Sequence, residues 1–279
     1  MPAAWTTALG AATTAMFLTG WVEGFFFYPD ARTWSTPAQL GVIAEDVELR
    51  AADGSRLHAW FLPVPAGTVA RGTVLHLHGN AANVSNHLPL VAWLPAQGFN
   101  VLMLDYRGFG RSEGRPTLSG IVDDAAVALN YLRTRPDVDA QRLIVYGQSL
   151  GGATALRLLA RDAAGVRLGV IEAAFSGYRT IASDATTASP LALIVPLVAG
   201  TLPPPADDPI AALAKIHVPL IFVHGTRDRV IPAAHSKALH AAAINAQLWL
   251  VPDGEHLAAV YGPGPWRDRL LQAMSAAVR

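Results

Sequence analysis

The chain contains no cysteine. That excludes disulfides, thiolate-bound metals, a cysteine nucleophile and a lipidated amino-terminal cysteine, while leaving the compartment open. Charge is scarce as well: Asp, Glu, Lys and Arg make up 15% of the residues and cancel to a net charge of zero, where about 25% charged is ordinary. A chain so balanced has no electrostatic footprint for nucleic acid. It also lacks the phosphate-binding signatures. There is no Gly-Lys-Ser/Thr loop, and Gly108-Phe109-Gly110 follows Asp105-Tyr106-Arg107 without the later glycine of a dinucleotide fingerprint. No nucleotide cofactor is therefore expected. His76 and His78 stand two apart with no nearby third ligand, so the pair is read as structural and no metal is expected. No internal repeat stands out.

What the chain has in quantity is apolar surface. Apolar residues make up 52% of 279, enough for a substantial core in one large α/β domain or two small ones. The amino terminus departs from the rest. From Pro2 to Val22 there is no charged residue, Glu23 follows, and the first basic residue is Arg32. A stretch of about 20 apolar residues suffices to cross a bilayer, although threonines and glycines dilute this one and no positive region marks a secretion signal. Three readings stand: a membrane anchor, which is favoured, a helix packed on the domain, or a cleaved leader. Residues 1–37 are accordingly expected to be the hydrophobic segment and its linker, and 38–279 the folded domain. Beyond any anchoring, a cytoplasmic location is expected.

Past Pro37 the pattern becomes regular. Val47-Glu48-Leu49-Arg50-Ala51 and Leu57-His58-Ala59-Trp60-Phe61-Leu62 flank Asp53-Gly54, the signature of a hairpin. Short, mostly apolar runs then recur at 73–77, 101–104, 143–146, 169–173, 220–223 and 247–251, as strands buried on both faces do. Helical patterns lie between them, notably at 121–132 and 152–161. About eight strands alternating with helices imply a mostly parallel sheet covered on both sides, with an antiparallel start. Ligands bind at the carboxyl ends of such strands. Residues 176–215 break the rhythm with six prolines and the apolar piece 191–195, and they are expected to form a short lid over that end of the sheet.

The most informative stretch is Leu143-Ile144-Val145-Tyr146-Gly147-Gln148-Ser149-Leu150-Gly151-Gly152, followed by the helix-forming Ala153 to Leu159. Strand, sharp turn and helix place a serine in a strained conformation with its hydroxyl exposed at the sheet end. Gly147 and Gly151 are small because strand and helix pass too close for a Cβ. A serine needs a base, and the base needs an acid behind it. In this topology their chain order is Ser, Asp or Glu, His. Asp228 follows the run at 220–223, and His256 follows the run at 247–251. Asp253 is the rival acid, but its place on the loop of His256 suits a turn. His224, His235 and His240 rival His256, yet none follows the final strand. The oxyanion donors are expected to be the backbone N–H groups of Leu150, after the nucleophile, and of Asn80 in His78-Gly79-Asn80-Ala81, with Ala81 as second choice. The Gly108 to Gly114 segment is read as a brace for the surrounding loops.

Together, His78-Gly79-Asn80-Ala81-Ala82-Asn83, Asp105-Tyr106-Arg107-Gly108-Phe109-Gly110-Arg111-Ser112-Glu113-Gly114, Gly147-Gln148-Ser149-Leu150-Gly151-Gly152, His224-Gly225-Thr226-Arg227-Asp228-Arg229-Val230-Ile231-Pro232 and Gly254-Glu255-His256 resemble the α/β-hydrolase superfamily. Within it the chain is similar to the serine-aminopeptidase-like branch with an amino-terminal hydrophobic anchor, in which an aromatic-Tyr-Pro segment follows the anchor as Phe27-Tyr28-Pro29 does here. The resemblance implies an α/β-hydrolase fold and hydrolysis mostly of esters, lipids or thioesters. The expected activity is cleavage of a carboxylic ester, with a medium or long acyl chain, by Ser149, His256 and Asp228. Amide, peptide or thioester hydrolysis on the same residues is the alternative, and a non-catalytic binding protein on this fold is the remoter one. The expected partner is a small ester or lipid. Substrate identity and oligomeric state are not legible.

Overall fold

The structure is a computed structural model, and it describes residues 26–186 and 202–279. Among the described residues ten strands are formed: β1 (Tyr28–Pro29), β2 (Glu45–Arg50), β3 (Arg56–Leu62), β4 (Gly72–Leu77), β5 (Ala81–Ala82), β6 (Phe99–Leu104), β7 (Leu143–Gln148), β8 (Val166–Glu172), β9 (Leu220–Gly225) and β10 (Ala246–Val251). Eight of them make one sheet in the order β10-β9-β8-β7-β4-β6-β3-β2. Asp53 and Gly54 do turn a hairpin, pairing Arg50 with Arg56, and β2 and β3 are antiparallel. From β6 to β10 the pairing is parallel, while β3 meets β6 antiparallel. The short pair β1–β5 stands apart from this sheet.

Seven α-helices accompany these strands among the described residues: α1 (Val84–Val91), α2 (Gly120–Thr134), α3 (Leu150–Arg161), α4 (Tyr178–Thr186), α5 (Pro209–Ala212), α6 (Ala234–Ala242) and α7 (Pro265–Ala277). The central strands β4, β6, β7 and β9 are buried along their whole length because both faces are covered. Leu75, Leu77, Leu102 and Leu104 point to a core shared with Ile121, Ala125 and Leu156 of α2 and α3. Their neighbours Val74, Val101 and Met103 point to the other core, with Leu88 and Val91 of α1 and Leu270 and Met274 of α7. Parts of the sequence reading, the hydrophobic stretch at residues 2–22 and the apolar piece 191–195, lie outside the described residues. Among the described residues no helix is long and apolar enough to cross a membrane.

The segment from Asp105 onward braces the loops at the carboxyl end of the sheet. Asp105 accepts a bond from His58 Nδ1 at 2.8 Å and from the Val84 N–H at the start of α1 at 2.9 Å. Its backbone carbonyl accepts from the Ser112 hydroxyl at 2.7 Å.

A polar network lies inside the sheet, beneath the turn that carries Ser149. His76 Nε2–H donates to Gln148 Oε1 at 2.9 Å, and Gln148 Nε2 donates to Glu172 Oε2 at 2.8 Å. The Tyr146 hydroxyl donates to the same carboxylate oxygen. Burial raises the Glu172 carboxyl above its ordinary range. The nearby imidazoles are pushed the other way, because burial disfavours their charged form. His76 falls to about 3 and His87 to about 4, and His78 lies well below the ordinary value.

These histidines make stability depend on pH. Unfolded, each binds a proton below about pH 6.5; folded, His87 stays neutral to about pH 4 and His76 to about pH 3, and His78 is shifted in the same direction. The stabilisation is complete above the unfolded value and is lost as pH falls toward the folded one, at up to about 1.4 kcal/mol per pH unit for each group. Urea unfolding at pH 7, 5.5 and 4.5 is expected to show a steep decline, less steep by about one proton in His87→Phe. An identical pH slope in variant and parent would rule out this origin.

Candidate active site

The loops that follow β4, β7, β9 and β10 open from the same edge, and these strands lie together in the sheet with only β8 between them. Ser149 joins β7 to α3 at φ +56° and ψ −119°, a conformation that L-residues rarely adopt. Two close approaches impose it. A Cβ on Gly151 would lie 2.0 Å from the Leu77 carbonyl oxygen of β4, and one on Gly147 would lie 2.3 Å from the Gly151 oxygen. The Ser149 N–H donates to the Glu172 carbonyl at 2.8 Å, so the buried network holds the turn from beneath. Leu150 opens α3, and its N–H has no partner within the helix.

The loops after β9 and β10 pack backbone to backbone. A Cβ on Gly225 would stand 2.2 Å from the Gly254 oxygen, and the N–H groups of Thr226 and Arg227 donate to the carbonyls of Val251 and Gly254, each at 2.9 Å. This brings Asp228 and His256 together: His256 Nδ1 lies 2.7 Å from Asp228 Oδ2. The Asp228 side chain is fully buried. Its Oδ1 accepts from the N–H groups of Val230 and Ile231 at 2.8 and 2.9 Å, and its Oδ2 lies 3.3 Å from His224 Nε2. Burial alone would raise its pKa, but the bonds from His224, His256 and Ile231 outweigh it and leave the carboxyl well below the usual range. A carboxylate can only accept, so His256 carries its proton on Nδ1 and presents an Nε2 lone pair.

The rival residues have other partners. Asp253 forms an ion pair with Arg227 at 2.8 Å. His224 donates from Nε2 to the Ile231 carbonyl at 2.8 Å and accepts from the Ser236 hydroxyl at 2.7 Å, which shapes the loop that carries Asp228. His235 makes a second serine–histidine–carboxylate contact. Its Nε2 donates to Asp184 at 2.8 Å, while its Nδ1 accepts from both the N–H and the hydroxyl of Ser176, at 3.1 and 2.9 Å. Buried and doubly bonded, that contact ties α4 to α6. Among the described residues no group of three or more histidines and acids is arranged to hold a metal ion.

Gly79 faces the nucleophile turn. A Cβ there would stand 3.5 Å from Ser149 Cβ and 3.4 Å from His87 Cε1. His87 and His256 line one cleft of about 360 Å³ together with Asn86, Pro89, Leu90, Leu257, Ala258 and Tyr261. The sequence reading missed His87 and this wall. Asn83 is the signal that marks it: its side chain accepts from the Ser85 N–H at 2.9 Å and caps α1, as an Asn ahead of an apolar periodic run does.

The sequence pattern of the family described as "Serine aminopeptidase, S33" matches residues 68–204. The uncharacterized protein YfhR of Escherichia coli K12 is 42% identical over 239 residues, covering 84% of this chain and 80% of that protein. The α/β-hydrolase domain-containing protein WAV2 of Arabidopsis thaliana is 35% identical, over 80% and 75% of the two chains. Among solved structures, the Pyrococcus furiosus esterase Pf2001 superposes with a TM-score of 0.73 at 22% identity, over 90% of this chain and all of that one. Acetyl xylan esterase 1 of a Thermoanaerobacterium species gives a TM-score of 0.68 at 20% identity, over 85% and 84%. The chain belongs to the α/β-hydrolase superfamily, in its serine-aminopeptidase-like (S33) family.

Proposed function

We propose that the protein is a metal-independent serine hydrolase that cleaves carboxylic esters of medium or long acyl chain. The observation that carries this is the 2.7 Å bond from His256 Nδ1 to a buried, ionised Asp228, on the sheet edge where Ser149 is held at φ +56°. Ser149 Oγ attacks the ester carbonyl while His256 Nε2 takes its proton. The N–H groups of Leu150 and Asn80 stabilise the oxyanion of the tetrahedral intermediate. His256 then protonates the departing alcohol, leaving an acyl-serine. Water, deprotonated by the same histidine, releases the acid and restores the enzyme. Asp228 fixes the tautomer and stabilises the imidazolium.

The cleft favours esters over an aminopeptidase substrate. A free α-amino group calls for an anionic partner, and none of the described residues lining the cleft carries a carboxylate. Pro89, Leu90, Leu257 and Ala258 offer apolar wall instead. Each methylene buried there is worth roughly 0.8 kcal/mol, or about fourfold in kcat/KM for each added carbon.

Two outcomes follow. Across p-nitrophenyl esters from acetate to dodecanoate, kcat/KM is expected to rise about fourfold per carbon until the cleft is filled; a preference for acetate, or a flat profile, would remove the acyl-chain assignment. Ser149→Ala is expected to retain less than one part in a thousand of the rate and to stay folded, with Asp228→Asn losing about 10³- to 10⁴-fold in kcat. A Ser149→Ala enzyme with a few per cent of parental activity would sink the mechanism.

A further inference from the structure

Asn80, taken above as the second oxyanion donor, is gripped on both sides. On its amino side, His78 Nδ1–H donates to the Gly79 carbonyl at 2.7 Å. The peptide is planar and trans, so a carbonyl fixed in one direction fixes the Asn80 N–H in the opposite one. On its carboxyl side, the Tyr28 N–H donates to the Asn80 carbonyl at 2.8 Å. Two residues further along, the Asp30 N–H donates to the Ala82 carbonyl at 3.1 Å. These two bonds belong to the parallel pair β1–β5, with Tyr28 opposite Ala81 and Pro29 opposite Ala82. Ala82 itself stands at φ +60°, a conformation that needs holding in place.

The same segment also reaches the inner grip. Phe27 is buried and packs edge-on against Phe109, with ring centroids 6.2 Å apart. Phe109 in turn packs against the His78 ring at 5.1 Å, and Tyr106 lies against it at 4.5 Å. Phe26 meets Tyr178 of α4 at 5.7 Å. Further along, the carbonyls of Asp30 and Arg32 accept from Asn83 Nδ2, the residue that caps α1, at 2.6 and 2.8 Å. By contrast Tyr28 is 58% exposed. What this residue contributes is its backbone N–H.

We propose that residues 26–30 are a positioning strap for the oxyanion hole, setting the Asn80 N–H by grafting a strand onto the loop that carries it. The strap touches no substrate and acts only through that loop. It rests on Asn80 being an oxyanion donor in the serine mechanism proposed above. It adds that the rate of the chemical step is governed by a segment more than a hundred residues from the nucleophile in sequence, through two backbone bonds.

The test uses the full chain and separates backbone from side chain. Tyr28→Pro deletes the N–H that grips Asn80, and Asp30→Pro deletes the one that grips Ala82. Tyr28→Ala keeps the backbone bond and removes only the exposed ring. Both proline variants are expected to lower kcat about tenfold or more with KM little changed, because the donor serves the transition state. Their affinity for an alkyl boronic acid, whose tetrahedral adduct on Ser149 places an oxygen in the hole, is expected to fall in parallel. Tyr28→Ala is expected to match the parent. Proline variants with parental kcat and boronate affinity would overturn the strap, as would loss of the folded domain in both, which would make the segment part of the folding core. Failure of the underlying mechanism reads out differently, as activity that survives in Ser149→Ala.

Discussion

Close approach of β7, α3 and β4 is the constraint on which the rest of the site depends. With the Leu77 carbonyl 2.0 Å from where a Gly151 side chain would begin, the chain can leave β7 for α3 only through a sharp turn. The residue at its apex is forced to positive φ, and here that residue is Ser149. Such a conformation costs of order 1–3 kcal/mol, and the surrounding structure supplies the compensation. Below the turn, the donors of His76, Gln148 and Tyr146 all run toward Glu172, whose backbone carbonyl accepts the Ser149 N–H. The strained serine therefore rests on a buried, hydrogen-bonded floor, where a solvent-exposed loop would leave it free to relax.

Electrostatics around that turn are arranged by burial. Burial favours the neutral form of His76, His78 and His87, so these three do not oppose the imidazolium that the proposed mechanism forms on His256. Asp228 is pulled the opposite way, because two imidazoles and two backbone N–H groups converge on it. The buried Asp228 carboxylate is the charge partner that His256 contacts directly.

Much of the architecture was legible because periodicity and turn chemistry are local. Short, mostly apolar runs named the six parallel strands, Asp53-Gly54 named the hairpin, and the spacing of Gly147, Ser149 and Gly151 named the turn. Strand ends located Asp228 and His256. What escaped depends on long-range packing. No local signal tells that Tyr28 and Pro29 pair with Ala81 and Ala82, since a two-residue strand has no periodicity to read. The cleft wall from α1 was missed because Pro89 lies inside that helix, masking its helical pattern. The contact of Ser176, His235 and Asp184 joins residues that nothing in the sequence connects. Its resemblance to a catalytic set shows why residue type alone is a poor guide: what distinguishes Ser149 is the backbone beneath it.

The central claim is that Ser149, among the serines of this chain, is an activated nucleophile at a sheet edge. Its most direct test is covalent. The folded protein is treated with an alkyl fluorophosphonate at neutral pH, digested, and mapped by tandem mass spectrometry. The account predicts one adduct, on the peptide containing Ser149, formed with a rate that drops by orders of magnitude in His256→Ala. An adduct on Ser176 instead, or no adduct in a folded protein, would contradict it.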